Sequence, residues 1–155
     1  LYDYGEERYA PAIAKGIAAA RPLRTTVELA GAVLDSMPAK GRREAQHPAR
    51  RAFQALRIAV NGELESLERG LTAALDRLNP GGTLAVIAFH SLEDRIVKRV
   101  MAEAAKGCVC PPDFPVCVCG KTPRLRIMDK RKPTREETES NPRSASAVLR
   151  TAQKL

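Results

Sequence analysis

The sequence predicts an α/β chain with a large helical share, and three observations carry that prediction. Apolar residues recur every three or four positions from Phe53 to Leu78, the period of an amphipathic helix. The run Thr83-Leu84-Ala85-Val86-Ile87-Ala88-Phe89 is apolar without alternation and follows the turn Asn79-Pro80-Gly81-Gly82, as a buried strand would. A helical pattern resumes directly after it, so strand and helix alternate.

The first elements are small and Ala-rich. Residues 5–20 read as a helix, with Pro11 tolerable only in a first turn, so the ordered helix is expected to begin near it. Thr25 with Glu28 three residues on is a capping-box signature for a short helix that Pro38 stops, with Leu29, Ala30, Val33 and Leu34 inward. Residues 39–46, AKGRREAQ, read as a basic loop. His47-Pro48 opens the long periodic segment, whose stripe is Phe53, Leu56, Val60, Leu64, Leu67, Leu71, Leu75 and Leu78. Asn61-Gly62 interrupts it, and a break there is expected because a mid-helix glycine costs about 1 kcal/mol.

The second half reads differently. Thr83–Phe89 is expected as a strand buried on both faces, typical of a parallel sheet, with Ser91 and Asp94 capping the next helix and Ile96, Val97, Val100 and Met101 inward. Residues 124–135 alternate as a basic strand, with Arg124 and Arg126 on one face and Leu125 and Ile127 on the other. Residues 136–142 read as a polar link, and residues 147–152 as a last strand.

Composition narrows the functional classes. The chain has 155 residues, a length of one ordinary domain, and 44% hydrophobic residues can form a core. With 4% aromatics and no Trp, that core relies on small side chains. A formal charge of +8 suits a nucleic-acid partner. No run approaches the ~18 apolar residues of a membrane span, and the opening residues do not read as a secretory leader.

Four constellations could carry chemistry. Arg50, Gln54, Arg57 and Asn61 share one side of the predicted helix, with His47, Arg42 and Arg43 just before it. They suit phosphate and base-edge contacts, or are simply a solvated polar face. His90, Ser91 and Glu93 stand where a strand gives way to a helix, either lining a crevice with N–H groups open to an anion or merely capping the helix. Cys108-Val109-Cys110 and Cys117-Val118-Cys119 place four thiols within twelve residues, as a closed zinc site, reduced thiols or redox-labile pairs. Arg124 and Arg126 on the basic strand could track an RNA backbone or protect a sheet edge.

With these motifs assembled, the chain resembles the bacterial 16S ribosomal RNA cytosine-N4 methyltransferases (the RsmH or MraW family). The matching stretches are Tyr4–Ala10, His47-Pro48-Ala49 with Phe53–Asn61, Gly81-Gly82 through Phe89–Lys98, and Asn141-Pro142-Arg143-Ser144 followed by Leu149-Arg150. The resemblance implies the C-terminal part of a class I, Rossmann-like methyltransferase sheet with an inserted helical domain. Residues 1–10 would end an upstream methyltransferase segment, residues 11–78 would be the inserted substrate-recognition domain, and residues 79–155 would complete the sheet, with Thr83–Phe89 a central strand, the last two predicted strands an antiparallel pair at its edge, and the Cys loop at 108–119.

It also implies S-adenosylmethionine as cofactor, small-subunit ribosomal RNA as partner and a cytoplasmic enzyme with no membrane contact. The family's cofactor loop, acidic ribose-binding residue and candidate catalytic loop have no counterpart in these residues. No cofactor-binding residue is therefore expected here, the catalytic residues stay unassigned, and the chain alone is expected to be inactive. In this mapping Arg50, Gln54 and Arg57 grip RNA, Asn61 positions a base or backbone, and His90 with Glu93 lines the target pocket.

Two other readings compete: a non-enzymatic, zinc-stabilised RNA-binding module, and a helical partner whose leucine stripe docks on another protein. An incomplete parallel sheet would also leave Thr83–Phe89 with an open edge prone to self-association.

Overall fold

The computed structural model of the chain describes residues 1–43, 47–111 and 115–155. These form two compact units, Leu1–Glu63 and Leu64–Leu155. Part of the basic loop (44–46) and part of the proline bend between the cysteine pairs (112–114) lie outside the described residues.

The first unit contains α1 (Tyr2–Gly5), α2 (Ala10–Ala19), α3 (Thr26–Asp35), α4 (Ala39–Arg42) and α5 (Arg50–Asn61). Pro11 occupies the first turn of α2, where its missing N–H costs nothing. The capping box of α3 forms as expected. The Glu28 N–H donates to Thr25 Oγ1 at 3.2 Å, and the Thr25 N–H donates to Glu28 Oε2 at 3.3 Å. The expected loop after Pro38 is corrected: residues 39–42 make a short helix, because Gly41 lets the backbone settle on the Tyr9 ring. A Cβ on Gly41 would lie 2.7 Å from Tyr9 Cε2.

Ile13, Val33, Met37, Ala49 and Ala52 form the core of this unit, with Leu29 and Phe53 packed around them. The predicted stripe is corrected on α5. Its buried residues are Ala52, Ala55 and Ile58, while Leu56 is exposed and Val60 is 83% exposed. The cause is a close approach by α1. A Cβ on Gly5 would stand 2.7 Å from the Arg51 carbonyl oxygen and 3.3 Å from Ala55 Cβ, so a methyl is all that fits at position 55 under α1. The expected break after Asn61 is present, with Gly62 closing α5 at φ 58°.

The second unit contains most of α6 (Glu63–Arg77), then β1 (Thr83–Ala88), α7 (Ser91–Ala105), β2 (Leu125–Arg131), α8 (Arg135–Ser140), a 3-10 turn (Pro142–Ser146) and β3 (Val148–Lys154). The strands form one sheet in the order β1-β3-β2, with both pairings antiparallel. The antiparallel β2–β3 pair is the one the resemblance implies, whereas β1, expected as a strand buried on both faces as in a parallel sheet, pairs antiparallel with β3 and is covered on one face among the described residues. Along β1, Leu84 and Val86 pack toward α6 and α7, whereas Thr83, Ala85 and Ile87 are exposed. Apolar residues on both faces had suggested double burial, yet in this chain helices cover only one.

Leu71, Leu75, Val97, Met101, Leu125 and Ala152 form the core here. Leu67, Leu71 and Leu75 of α6 thus pack against this chain's own residues, which counts against the reading of a stripe that docks elsewhere. Ile127, which alternation puts on the same face as Leu125, is 54% exposed on the outer strand β2, and a bulge shifts the β2–β3 register just after it. The polar link is also corrected: α8 forms there, started by Thr134 Oγ1 accepting from the Glu137 N–H at 3.1 Å.

One ion pair joins α7 to the central strand. Arg150 donates from Nε to Asp94 Oδ1 at 2.6 Å and from Nη2 to Oδ2 at 2.9 Å. Asp94 therefore does not cap α7 as expected. Its pKa is lowered, chiefly by the Arg150 hydrogen bonds and further by the charges of Arg150, Lys130 and Lys98.

Two predictions follow from this packing. Gly5→Ala in the full-length protein is expected to cost about 1–3 kcal/mol in urea unfolding, since the new methyl has backbone on one side and a helix methyl on the other. Asp94→Asn should be destabilising near neutral pH. The native carboxylate's contribution is fully present above its unfolded pKa of about 3.9 and fades as pH falls through its lower folded value, so the gap between wild type and variant should narrow in acid.

Candidate nucleic-acid interface

The polar face of α5 keeps the composition the sequence suggested, but its members differ in what they are free to do. Arg57 is committed to Glu63, donating from Nε to Oε1 at 2.7 Å and from Nη2 to Oε2 at 2.9 Å. Asn61 Nδ2 donates to the same Glu63 Oε1 at 3.0 Å. Gln54 Nε2 reaches the Tyr4 carbonyl oxygen at 3.4 Å, and His47 Nδ1 accepts from the Ala49 N–H at 3.2 Å. Arg50 is exposed, and its side chain has no partner among the described residues. The face therefore offers one extended cation beside a partly neutralised network.

Arg42 turns inward and closes the end of α3, donating from Nε to the Met37 carbonyl at 2.9 Å and from Nη2 to the Asp35 carbonyl at 3.3 Å. Arg43, next to it, is exposed. On the basic strand Arg126 Nη2 donates to Gln153 Oε1 at 2.8 Å, and Arg124 is bound to Asp76. These bonds give Arg42 and Arg124 partners within the chain that charge counting along the sequence does not reveal.

The junction between β1 and α7 is corrected. Neither Ser91 nor Asp94 caps α7. His90 does, with Nδ1 accepting from the Glu93 N–H at 3.3 Å. Glu93 Oε2 reaches back to accept from the Phe89 N–H at 2.8 Å and the His90 N–H at 3.2 Å. The turn's amides, expected to be open to an anion, are thus filled by the chain's own carboxylate. Ser91 is exposed. His90 Nε2 is buried without a hydrogen bond and lies 3.4 Å from Glu93 Oε1.

Sequence reasoning missed the cluster beside this turn. Arg150 faces Val86 on one side and Lys130 on the other across the sheet, and Lys98 and Lys130 both act on Asp94. Asp94 neutralises one of these three cations. The pairing joins residues fifty-six positions apart, so no local pattern announces it. The opposite face of the sheet carries a shallow groove of about 430 Å³, lined by Met128, Asp129, Arg131, Leu149 and Thr151.

The four cysteines are free thiols whose sulfurs all lie within 4.8 Å of one another. Cys119 is lowered to about 6, first by the Val109 N–H and then by the Lys121 N–H. At Cys108 the Cys110 N–H favours the thiolate, but the sulfurs of Cys117, Cys110 and Cys119 outweigh it and push the thiol up to about 11.

This geometry, a basic helix face on one unit and a cation cluster on a small sheet in the other, defines an α/β chain with two basic surfaces. Comparison with known proteins makes the class specific. Residues 1–155 match the family model described as the MraW methylase family. The chain is similar to proteins named Ribosomal RNA small subunit methyltransferase H. It is 57% identical to that of Symbiobacterium thermophilum, 56% to that of Heliobacterium modesticaldum and 54% to that of Carboxydothermus hydrogenoformans. Each match covers 100% of this chain and 50–51% of the relative. The chain belongs to the MraW methylase family and spans about half the length of the curated relatives it matches. The non-enzymatic zinc module finds no support among these relatives.

S-adenosylmethionine, which the family implies, does not fit the described residues alone. The turn after β1 has no glycine, and its amides are taken by Glu93. Gly81 and Gly82 precede the strand, on the wrong side for a phosphate or ribose cradle. The same arrangement yields a prediction. Glu93→Ala should cost about 1 kcal/mol in thermal or urea unfolding by uncapping α7, with Glu93→Gln recovering part of the loss.

Proposed function

We propose that the full-length protein methylates the exocyclic N4 of a cytosine in small-subunit ribosomal RNA, with S-adenosylmethionine as methyl donor. This chain supplies RNA grip and part of the target pocket. The observation that carries the reading is the match of the whole chain to proteins named small-subunit ribosomal RNA methyltransferases, at more than half identity. The donor is held by residues outside this chain and supplies an electrophilic methyl.

Within this reading, residues 11–78 serve as the inserted recognition domain and residues 79–155 as the C-terminal part of a class I sheet. Two features support the second role. β1 is an outer strand whose far edge pairs with nothing among the described residues, and the sheet face bearing Ile87 and Leu149 lacks a covering helix among them. Both suit a sheet that continues in the rest of the protein, a better use of the open edge than self-association.

Arg50 and Arg43 contact phosphate, having no partner to give up among the described residues. Gln54 and Asn61 are weakly or singly bonded and can rotate toward a base edge. The Arg57–Glu63 pair holds the end of α5 in place beneath them. His90, with Nε2 buried and unbonded, and Glu93 form one wall for a cytosine drawn out of its stack. Lys98 and Lys130 attract the backbone beside it.

The test uses the full-length protein, small ribosomal subunits from cells lacking the modification, and methyl-labelled donor. Mass spectrometry of nucleosides is expected to show label in N4-methylcytidine; label in another nucleoside, or none, would overturn the proposal. Arg50→Glu should raise KM for the subunit about tenfold at low salt, narrow that difference at high salt, and leave kcat nearly unchanged. A selective fall in kcat would show that Arg50 acts at the reacting atoms rather than on the RNA backbone.

A further inference from the structure

The cysteine loop lies outside the proposed methylation site and has chemistry of its own. We propose that Cys108, Cys110, Cys117 and Cys119 bind one structural zinc ion through their four sulfurs. Cys117 and Cys119 Sγ are 3.5 Å apart, Cys108 and Cys119 are 3.7 Å apart, and Cys110 and Cys117 are 4.0 Å apart. A tetrahedron with Zn–S bonds of about 2.3 Å has S···S edges of about 3.8 Å. The sulfurs therefore already sit near the corners of that tetrahedron, and each of these separations far exceeds a disulfide's ~2.05 Å.

The backbone supports the same assignment. The Val109 N–H donates to Cys119 Sγ at 3.4 Å, and the Val118 N–H donates to Cys110 Sγ at 3.4 Å. The middle residue of each C-x-C pair thus serves the last sulfur of the other, an approximate two-fold exchange. The Cys110 N–H adds a bond to Cys108 Sγ at 3.3 Å. Such donors are what a zinc tetrathiolate needs, since four thiolates around a divalent ion carry a net double negative charge.

Four sulfurs leave no coordination position open for substrate, so the ion's role is structural. The ends of the loop are already tied, by Arg124 N–H donating to the Ala104 carbonyl at 2.7 Å. A metal at its tip would fix the exposed Val109, Val116 and Val118, which have no core to hold them. Tetrahedral all-sulfur sites take zinc or iron, and zinc is the choice that adds no redox chemistry to a loop remote from the sheet's core.

The test is metal analysis of the full-length protein purified under reducing conditions without chelator. A single zinc per chain is expected, falling below about a tenth in Cys110→Ser/Cys117→Ser. Stripped wild-type protein should regain zinc, and with Co²⁺ should show intense visible bands of tetrahedral thiolate coordination. Zinc removal should open residues 107–123 to limited proteolysis, and zinc return should close them. Because these steps use unaltered protein, they stand even if the double variant misfolds. Iron in place of zinc, two disulfides on thiol titration, unchanged zinc in the variant, or four free thiols that take up no added Zn²⁺ would each overturn the assignment.

Discussion

Arg150 sits at the centre of the second unit, and much of what surrounds it depends on how its charge is held. It lies on the middle strand of the sheet, opposite Val86 on β1 and Lys130 on β2. A guanidinium there would repel Lys130 and Lys98 if it stood alone. Both oxygens of Asp94 reach it from the first turn of α7, and this two-pronged bond fixes that helix against the sheet at its N-terminal end. Leu92, Val97 and Met101 are then buried along the same helix. The pair thus links where α7 begins, which face of the sheet it covers and how much positive charge remains beside the turn.

The first unit answers a different constraint. Aromatics are scarce, so its helices gain stability by coming close rather than by burying large groups. Gly5 and the alanines of α5 are the means: a glycine on one helix meets the backbone of the other, and methyls fill the seam. This packing leaves the longer side chains of α5 to the outside, where Arg50 projects and Arg57, Gln54 and Asn61 are steadied by Glu63 and Tyr4. The composition of the polar face and the smallness of the core are two sides of one helix.

Much of this was legible in the sequence where a local rule applies. The capping box of Thr25, the place of Pro11, the break at Gly62 and the last strand each follow from chemistry within a few residues. The errors share a cause as well. The stripe on α5 runs through Phe53, Leu56 and Val60 in the sequence reading, whereas the buried face is Ala52, Ala55 and Ile58. Size misled because burial depended on clearance from α1, a partner forty-odd positions away. The strand at Thr83–Ala88 is apolar on both faces, but covering a face takes helices, and among the described residues helices cover one. At the site, spacing placed Arg50, Gln54, Arg57 and Asn61 together correctly. It could not show which were already bonded, because Glu63 and Tyr4 had to be brought in by the fold.

Glu93 reaching back over its own helix start has a directional effect on any nucleic acid that approaches. Most helices begin with a small excess of positive potential that welcomes a phosphate. Here that welcome is cancelled by an internal carboxylate, while Lys98 and Lys130 stand close by. An anion passing this turn would be pushed from the helix tip and drawn to the lysines.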